Sequence, residues 1–101
     1  MADRQYLYVH WTDRSIANSL TIKNYLQYNF SQREIDNYYE LLASFEKIIL
    51  KFPKLYPKSK KNKKTYRAVL SKQLSVFYTL SKDTVTVIAI LDNRMSYSKW
   101  P

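Results

Sequence analysis

Between residues 31 and 53 the apolar positions fall three and four apart: Ile35, Tyr38, Leu42, Phe45, Ile49 and Phe52. That spacing places all six on one side of an α-helix, and Pro53 ends it. Upstream, Ser31 and Glu34 fit the capping box S-x-x-E, in which hydroxyl and carboxylate each satisfy an exposed backbone amide. Phe30 and Ile35 are spaced as a hydrophobic staple around that start. A first helix is predicted from about residue 13 to 29, with Thr12 as N-cap and Asp13 placed well for the helix dipole. Its apolar residues Ile16, Ala17, Leu20, Ile22, Tyr25, Leu26 and Tyr28 spread around more than one side. That suits a helix packed between two neighbours, or one exposing an apolar strip to a partner. Only Asn29-Phe30-Ser31 separates the two helices, so they should form an antiparallel hairpin.

On either side of the hairpin the period changes to two. Residues 5 to 11, QYLYVHW, read as a short aromatic and β-branched strand, with Tyr6, Tyr8 and His10 on one face and Leu7, Val9 and Trp11 on the other. Tyr66 to Ser71, Leu74 to Leu80 and Thr84 to Leu91 read as three more, separated by Lys72-Gln73 and Ser81-Lys82-Asp83. Such short links make neighbours antiparallel partners. In the last strand Val85, Val87, Ala89 and Leu91 should face one way and Thr84, Thr86, Ile88 and Ile90 the other. Both faces become apolar toward its end, the mark of a central strand. The predicted class is α+β in the order β-α-α-β-β-β, a helical hairpin packed on one face of a mostly antiparallel sheet. No internal repeat or domain-sized linker interrupts it, so residues 1–101 are read as a single domain.

Composition narrows the chemistry. Apolar residues make up 46% of the chain, enough for one modest core. With no cysteine, disulfides and thiolate metal sites are excluded. The single histidine, His10, has no second histidine to pair with, so no metal or other cofactor is expected. With no glycine, a glycine-rich phosphate loop is excluded too. The first residues show no apolar stretch with a cleavage site, and the longest apolar runs fall far short of a membrane span. A cytoplasmic location without membrane contact is expected. No paired carboxylates and no Ser/His/Asp set stand out, which argues against ordinary hydrolase chemistry. The ten tyrosines are read mainly as the half-wet edge of a small core, with stacking on bases or a protein interface as their other use.

The formal charge of +9 is segregated. Acidic and basic side chains cancel from residue 1 to 52, and the excess lies entirely beyond Pro53. Lys58, Lys60, Lys61, Lys63 and Lys64 form a run there, with Arg67 just after it and Arg94 near the end. The run is either a solvated loop or a contact for nucleic acid or an acidic protein, and in the former contact five lysines would make binding steeply salt-dependent. Arg67 could pair with Asp92, and Arg94 could cap the end of the last strand.

In this order, the segments VHWTDRSIANSLTIKNYLQYNFS, KFPKLYP, KTYRAVLSKQLSVFYTL and TVTVIAILDNR resemble the RelE/ParE superfamily, the toxins of bacterial type II toxin–antitoxin (plasmid stabilisation) systems. The resemblance spans nearly the whole chain and implies the same β-α-α-β-β-β order. It also implies a cognate antitoxin as partner, and as target either DNA gyrase, in the ParE-like branch, or the ribosome and its mRNA, in the RelE-like branch. The RelE-like branch is a metal-independent endoribonuclease that stabilises its transition state with basic side chains. Its implied catalytic candidates here are Arg67, Arg94 and Tyr97, with lysines of the 58–64 loop. Where that branch carries two further cations, this chain has Val69 and Ser75. The resemblance therefore favours a ParE-like toxin inhibiting an essential target such as gyrase. The alternatives are a RelE-like ribosome-dependent ribonuclease, and a basic nucleic-acid-binding module without toxicity.

Overall fold

The computed structural model describes residues 6–94. Strand β1 (Tyr8–Trp11) leads into helices α1 (Asp13–Asn29) and α2 (Gln32–Lys51), followed by strands β2 (Tyr66–Val69), β3 (Leu74–Ser81) and β4 (Thr84–Asp92). The four strands form one sheet in the order β1-β4-β3-β2, with β1 parallel to β4 and the other pairs antiparallel. This is the α+β order that the periodicity predicts, with β4 in the interior of the sheet.

Helix α2 buries Ile35, Tyr38, Leu42, Phe45 and Ile49 against the sheet residues Ala68, Leu74, Val76, Tyr78, Val85, Val87 and Ile90. Each such Ile, Leu or Phe contributes about 1.5–3 kcal/mol by leaving water. The stripe ends one residue early: Phe52 lies past the last helical turn and is 54% exposed. Ser31 is the N-cap of α2, but its side chain makes no capping bond; only its carbonyl accepts, from the Glu34 amide at 3.1 Å. The capping box is therefore not formed. Helix α1 buries Ile22 and Leu26 and leaves Ile16, Leu20 and Tyr28 exposed, so the apolar strip is real.

Thr12 joins α1 to the sheet. Its Oγ1 accepts from the Ser15 amide at 3.2 Å, capping the helix, and donates to the Val87 carbonyl at 2.9 Å. Its own amide donates to the same carbonyl at 3.1 Å. Strand β1 thus ends where α1 begins, beside the middle of β4.

Beyond that point β4 departs from simple alternation. Phe77 pairs with Ala89, but Tyr78 pairs with Val87, so Ile88 is an extra residue: a β-bulge. The bulge reverses the phase of everything after it. Val85 and Val87 share one face, as predicted, and it is the face toward the helices; Ile90 and Asp92 join them there. Ala89 and Leu91 turn to the opposite side, where they bury Phe77 in a second small cluster. The predicted four-residue face of Val85, Val87, Ala89 and Leu91 is therefore split in two. Asn18 of α1 covers the disturbed edge, its Oδ1 accepting from the Ile90 amide at 3.2 Å.

Candidate functional site

The cationic half is ordered by backbone bonds. After α2, the carbonyl of the buried Pro53 accepts from the Tyr78 hydroxyl at 2.8 Å, which ties the start of the connection to the core. Burial raises the pKa of that hydroxyl, and the neighbouring Tyr66 and Tyr56 raise it further. The chain then doubles back along β2. The Arg67 amide donates to Pro57 O at 2.9 Å, the Ser59 amide donates to Thr65 O at 2.6 Å, and Lys58 bridges antiparallel to Tyr66. Asn62 closes the tip: its Oδ1 accepts from the Lys64 amide at 3.0 Å and its carbonyl from the Thr65 amide at 3.1 Å. Ser59 and Thr65 are buried between the two limbs. The lysine run is thus a tethered arm along the outer edge of the sheet, not a loose loop. Lys60, Lys61 and Lys63 sit at its exposed tip, while Lys58 and Lys64 sit on its two limbs.

The two arginines are not brought together. Arg67 lies on the helix-free face of the sheet, with its Nε 3.4 Å from Ser75 Oγ. Val69 pairs with Ser75 on the same face and is 49% exposed, while Ser75 is fully buried. Following the register across this face, Arg67 is the one formally cationic side chain among the described strand residues. His10 stands on β1 at the far edge.

Arg94 belongs to the helix side. Its Nε donates to Asp92 Oδ1 at 2.8 Å, its Nη2 donates to Asp92 Oδ2, and its amide donates to Oδ1 at 2.9 Å. The guanidinium lies over the rings of Phe30, at 4.8 Å, and Tyr25, at 5.7 Å. The Asp92 hydrogen bond raises the Arg94 pKa, against a smaller opposing effect of burial. Asp92 is 3% exposed, so its charge is balanced locally by this fork. Arg94, and not Arg67 on the opposite face, is its partner. The pair borders a cavity of about 170 Å³ lined also by Glu34, Tyr38 and Leu74. Burial pushes the Tyr38 pKa up to about 12, and its hydroxyl donates to Ser19 Oγ at 2.9 Å.

Tyr97 lies outside the described residues. Among the described residues no group of three or more His, Asp or Glu side chains is arranged to hold a metal ion, and no helix is long and apolar enough to cross a membrane. Sequence reasoning missed Lys54, Tyr6 and Tyr66, which line one cleft with Lys58 and Lys64. Lys54 and Tyr66 flank the basic run in sequence, but nothing there reveals that the chain folds back, and Tyr6 lies far from both.

No protein-family model matches the chain, and no curated protein sequence is significantly similar to it. Solved structures are similar. A chain of the chromosomal ParDE TA system from P. aeruginosa superposes with a TM-score of 0.72 at 9% identity, over 85% of this chain and 95% of that one. The structure of YafQ from E. coli strain BL21(DE3) covers 93% of this chain and 96% of its own at 12% identity, but its TM-score of 0.48 is too low to carry weight. The first likeness establishes the fold that the family resemblance implies.

Proposed function

We propose that this chain is the toxin of a type II toxin–antitoxin module, of the ParE-like kind, which inhibits an essential target such as DNA gyrase and is neutralised by a cognate antitoxin in the cytoplasm. Two things support the toxin reading: the ordered sequence segments, and a fold shared with a chain of a ParDE system. The ParE-like preference rests on the separation of the two candidate arginines. Cleaving RNA without a metal requires several positive groups around one phosphate as its charge builds. Here Arg67 stands with Val69 and the buried Ser75 on one face, while Arg94 is held by Asp92 on the other. A single guanidinium supplies one side of such a site.

The antitoxin expected is one with an acidic segment that folds on binding and covers part of the cationic half. The test is induced expression of the chain, alone and with the neighbouring reading frame, followed by supercoiling assays with purified gyrase and mRNA cleavage assays in a translation extract. Growth arrest with loss of supercoiling and intact mRNA is the expected result. Cleavage of mRNA that Arg67→Ala abolishes would overturn the ParE-like reading in favour of the ribonuclease. Normal growth would remove the toxin.

A further inference from the structure

On the helix side of the sheet, away from Arg67, a cleft of about 410 Å³ opens between the end of α2, the root of the arm and the end of β3. The half-buried Tyr6, Tyr66 and Leu80 form its floor, and the exposed Lys54, Lys58 and Lys64 form its rim. The three lysines come from different limbs of the chain, yet each has a fixed root. Lys54 follows Pro53, which Tyr78 holds. Lys58 is bridged to Tyr66, and the Lys64 amide is bonded to Asn62. Among the described residues no carboxylate lines the cleft, and none pairs with any of the three. Three like charges are thus gathered around one space without a counter-ion among the described residues, and their mutual repulsion is relieved when an anion enters.

The chemistry of the rim selects among anions. Ammonium groups act as point charges and suit the clustered anionic oxygens of a phosphate, whether a terminal monoester or a diester within a strand. A planar carboxylate is better matched by the guanidinium fork, and among the described residues no arginine lines the cleft. Beside the anion position the floor is aromatic and apolar, and the volume falls in the range of small-ligand sites. We propose that this cleft binds a nucleotide, its phosphate held by Lys54, Lys58 and Lys64 and its base laid on the Tyr6–Leu80 floor, whether the nucleotide is free or part of a single strand. This goes beyond the toxin reading, which does not require it.

The test measures fluorescence anisotropy of a labelled deca-thymidylate, with competition by guanosine monophosphate, inorganic phosphate and poly-glutamate. Two variants of equal charge are compared: Lys54→Gln/Lys58→Gln/Lys64→Gln in the cleft, and Lys60→Gln/Lys61→Gln/Lys63→Gln at the tip. The cleft variant should lose at least tenfold in affinity and the tip variant clearly less, with circular dichroism showing both folded. One neutralised phosphate on a single strand gives a shallow slope of about −0.7 in log K against log salt. Displacement by guanosine monophosphate assigns a free-nucleotide site, and displacement only by unlabelled strand assigns a strand site; both support the proposal. Equal losses in the two variants would mean diffuse charge attraction and overturn it. So would poly-glutamate competing as well as the nucleotide, which would point to an acidic protein, or no binding at low salt. Growth arrest by the cleft variant is scored separately, so the toxin reading stands or falls on its own.

Discussion

Replacing Tyr78 with Phe removes one oxygen from the centre of the molecule. The ring is fully buried, stacks on Tyr66 at 5.2 Å and meets Phe45 edge-on at 5.8 Å, and all of that survives the substitution. What is lost is the 2.8 Å bond to Pro53 O, which leaves a buried carbonyl without that donor. An abandoned buried acceptor costs about 1–3 kcal/mol, which for a domain this size lowers Tm by roughly 4–20 °C. The same hydroxyl sets a pH dependence. Burial raises its folded pKa above the ordinary tyrosine value of about 10, so above pH 10 the unfolded chain releases a proton that the folded chain keeps. The unfolded state then binds fewer protons, and stability falls by about 1.4 kcal/mol per pH unit for this group. In Tyr78→Phe that contribution is gone. The gap between wild type and variant should therefore be largest at pH 8 and narrow by about 2 kcal/mol by pH 11.5. Urea denaturation followed by circular dichroism at the two pH values measures both. A variant as stable as wild type at pH 8, or a gap that stays constant to pH 11.5, refutes the reasoning.

Other consequences are equally direct. Arg94→Ala should destabilise by about 1–3 kcal/mol, less than for a fully buried pair because the arginine side chain is 27% exposed; an equilibrium melt indistinguishable from wild type would show that Asp92 finds another partner. Asn18→Ala unpairs the Ile90 amide and should cost about 1–3 kcal/mol, read from the urea midpoint at unchanged slope. Deletion of Ile88 makes Val87 and Ala89 consecutive opposite Tyr78 and Phe77, so Ile90 and Asp92 keep the helix side; unfolding should stay cooperative by calorimetry, and its loss would refute the reading of Ile88 as the extra residue. Lys82, at φ 47°, occupies the left-handed region, and Lys82→Gly should raise stability by up to about 1 kcal/mol.

What could be read from the chain alone follows from which forces leave a periodic trace. Helix α2 was legible because burial of one side imposes a spacing, as Ile35 through Ile49 show. The strands were legible for the same reason, and so was the interior place of β4. The bulge was not, because one inserted residue keeps the composition of a strand and changes only its phase. Its one sign was that Ile88 and Ile90 made both faces apolar. That phase change carries Asp92, and Arg94 with it, to the helix side, so the relation of the two arginines could not be foreseen. The arm was hidden because it is held by backbone bonds and small buried hydroxyls. To composition, Lys58 through Lys64 look like any solvated run.

The parallel pairing of β1 with β4 joins Tyr8 to Thr84 across nearly the whole described chain. The β3–β4 hairpin closes through a two-residue turn and needs no such search. Loop-closure entropy therefore favours docking of the first strand last, onto a three-stranded sheet already formed. Until that strand docks, the backbone of β4 from Thr84 to Val87 is an open template. A chain caught at that stage offers the same groups to a strand from another molecule, and whatever binds there first holds the protein short of its finished form.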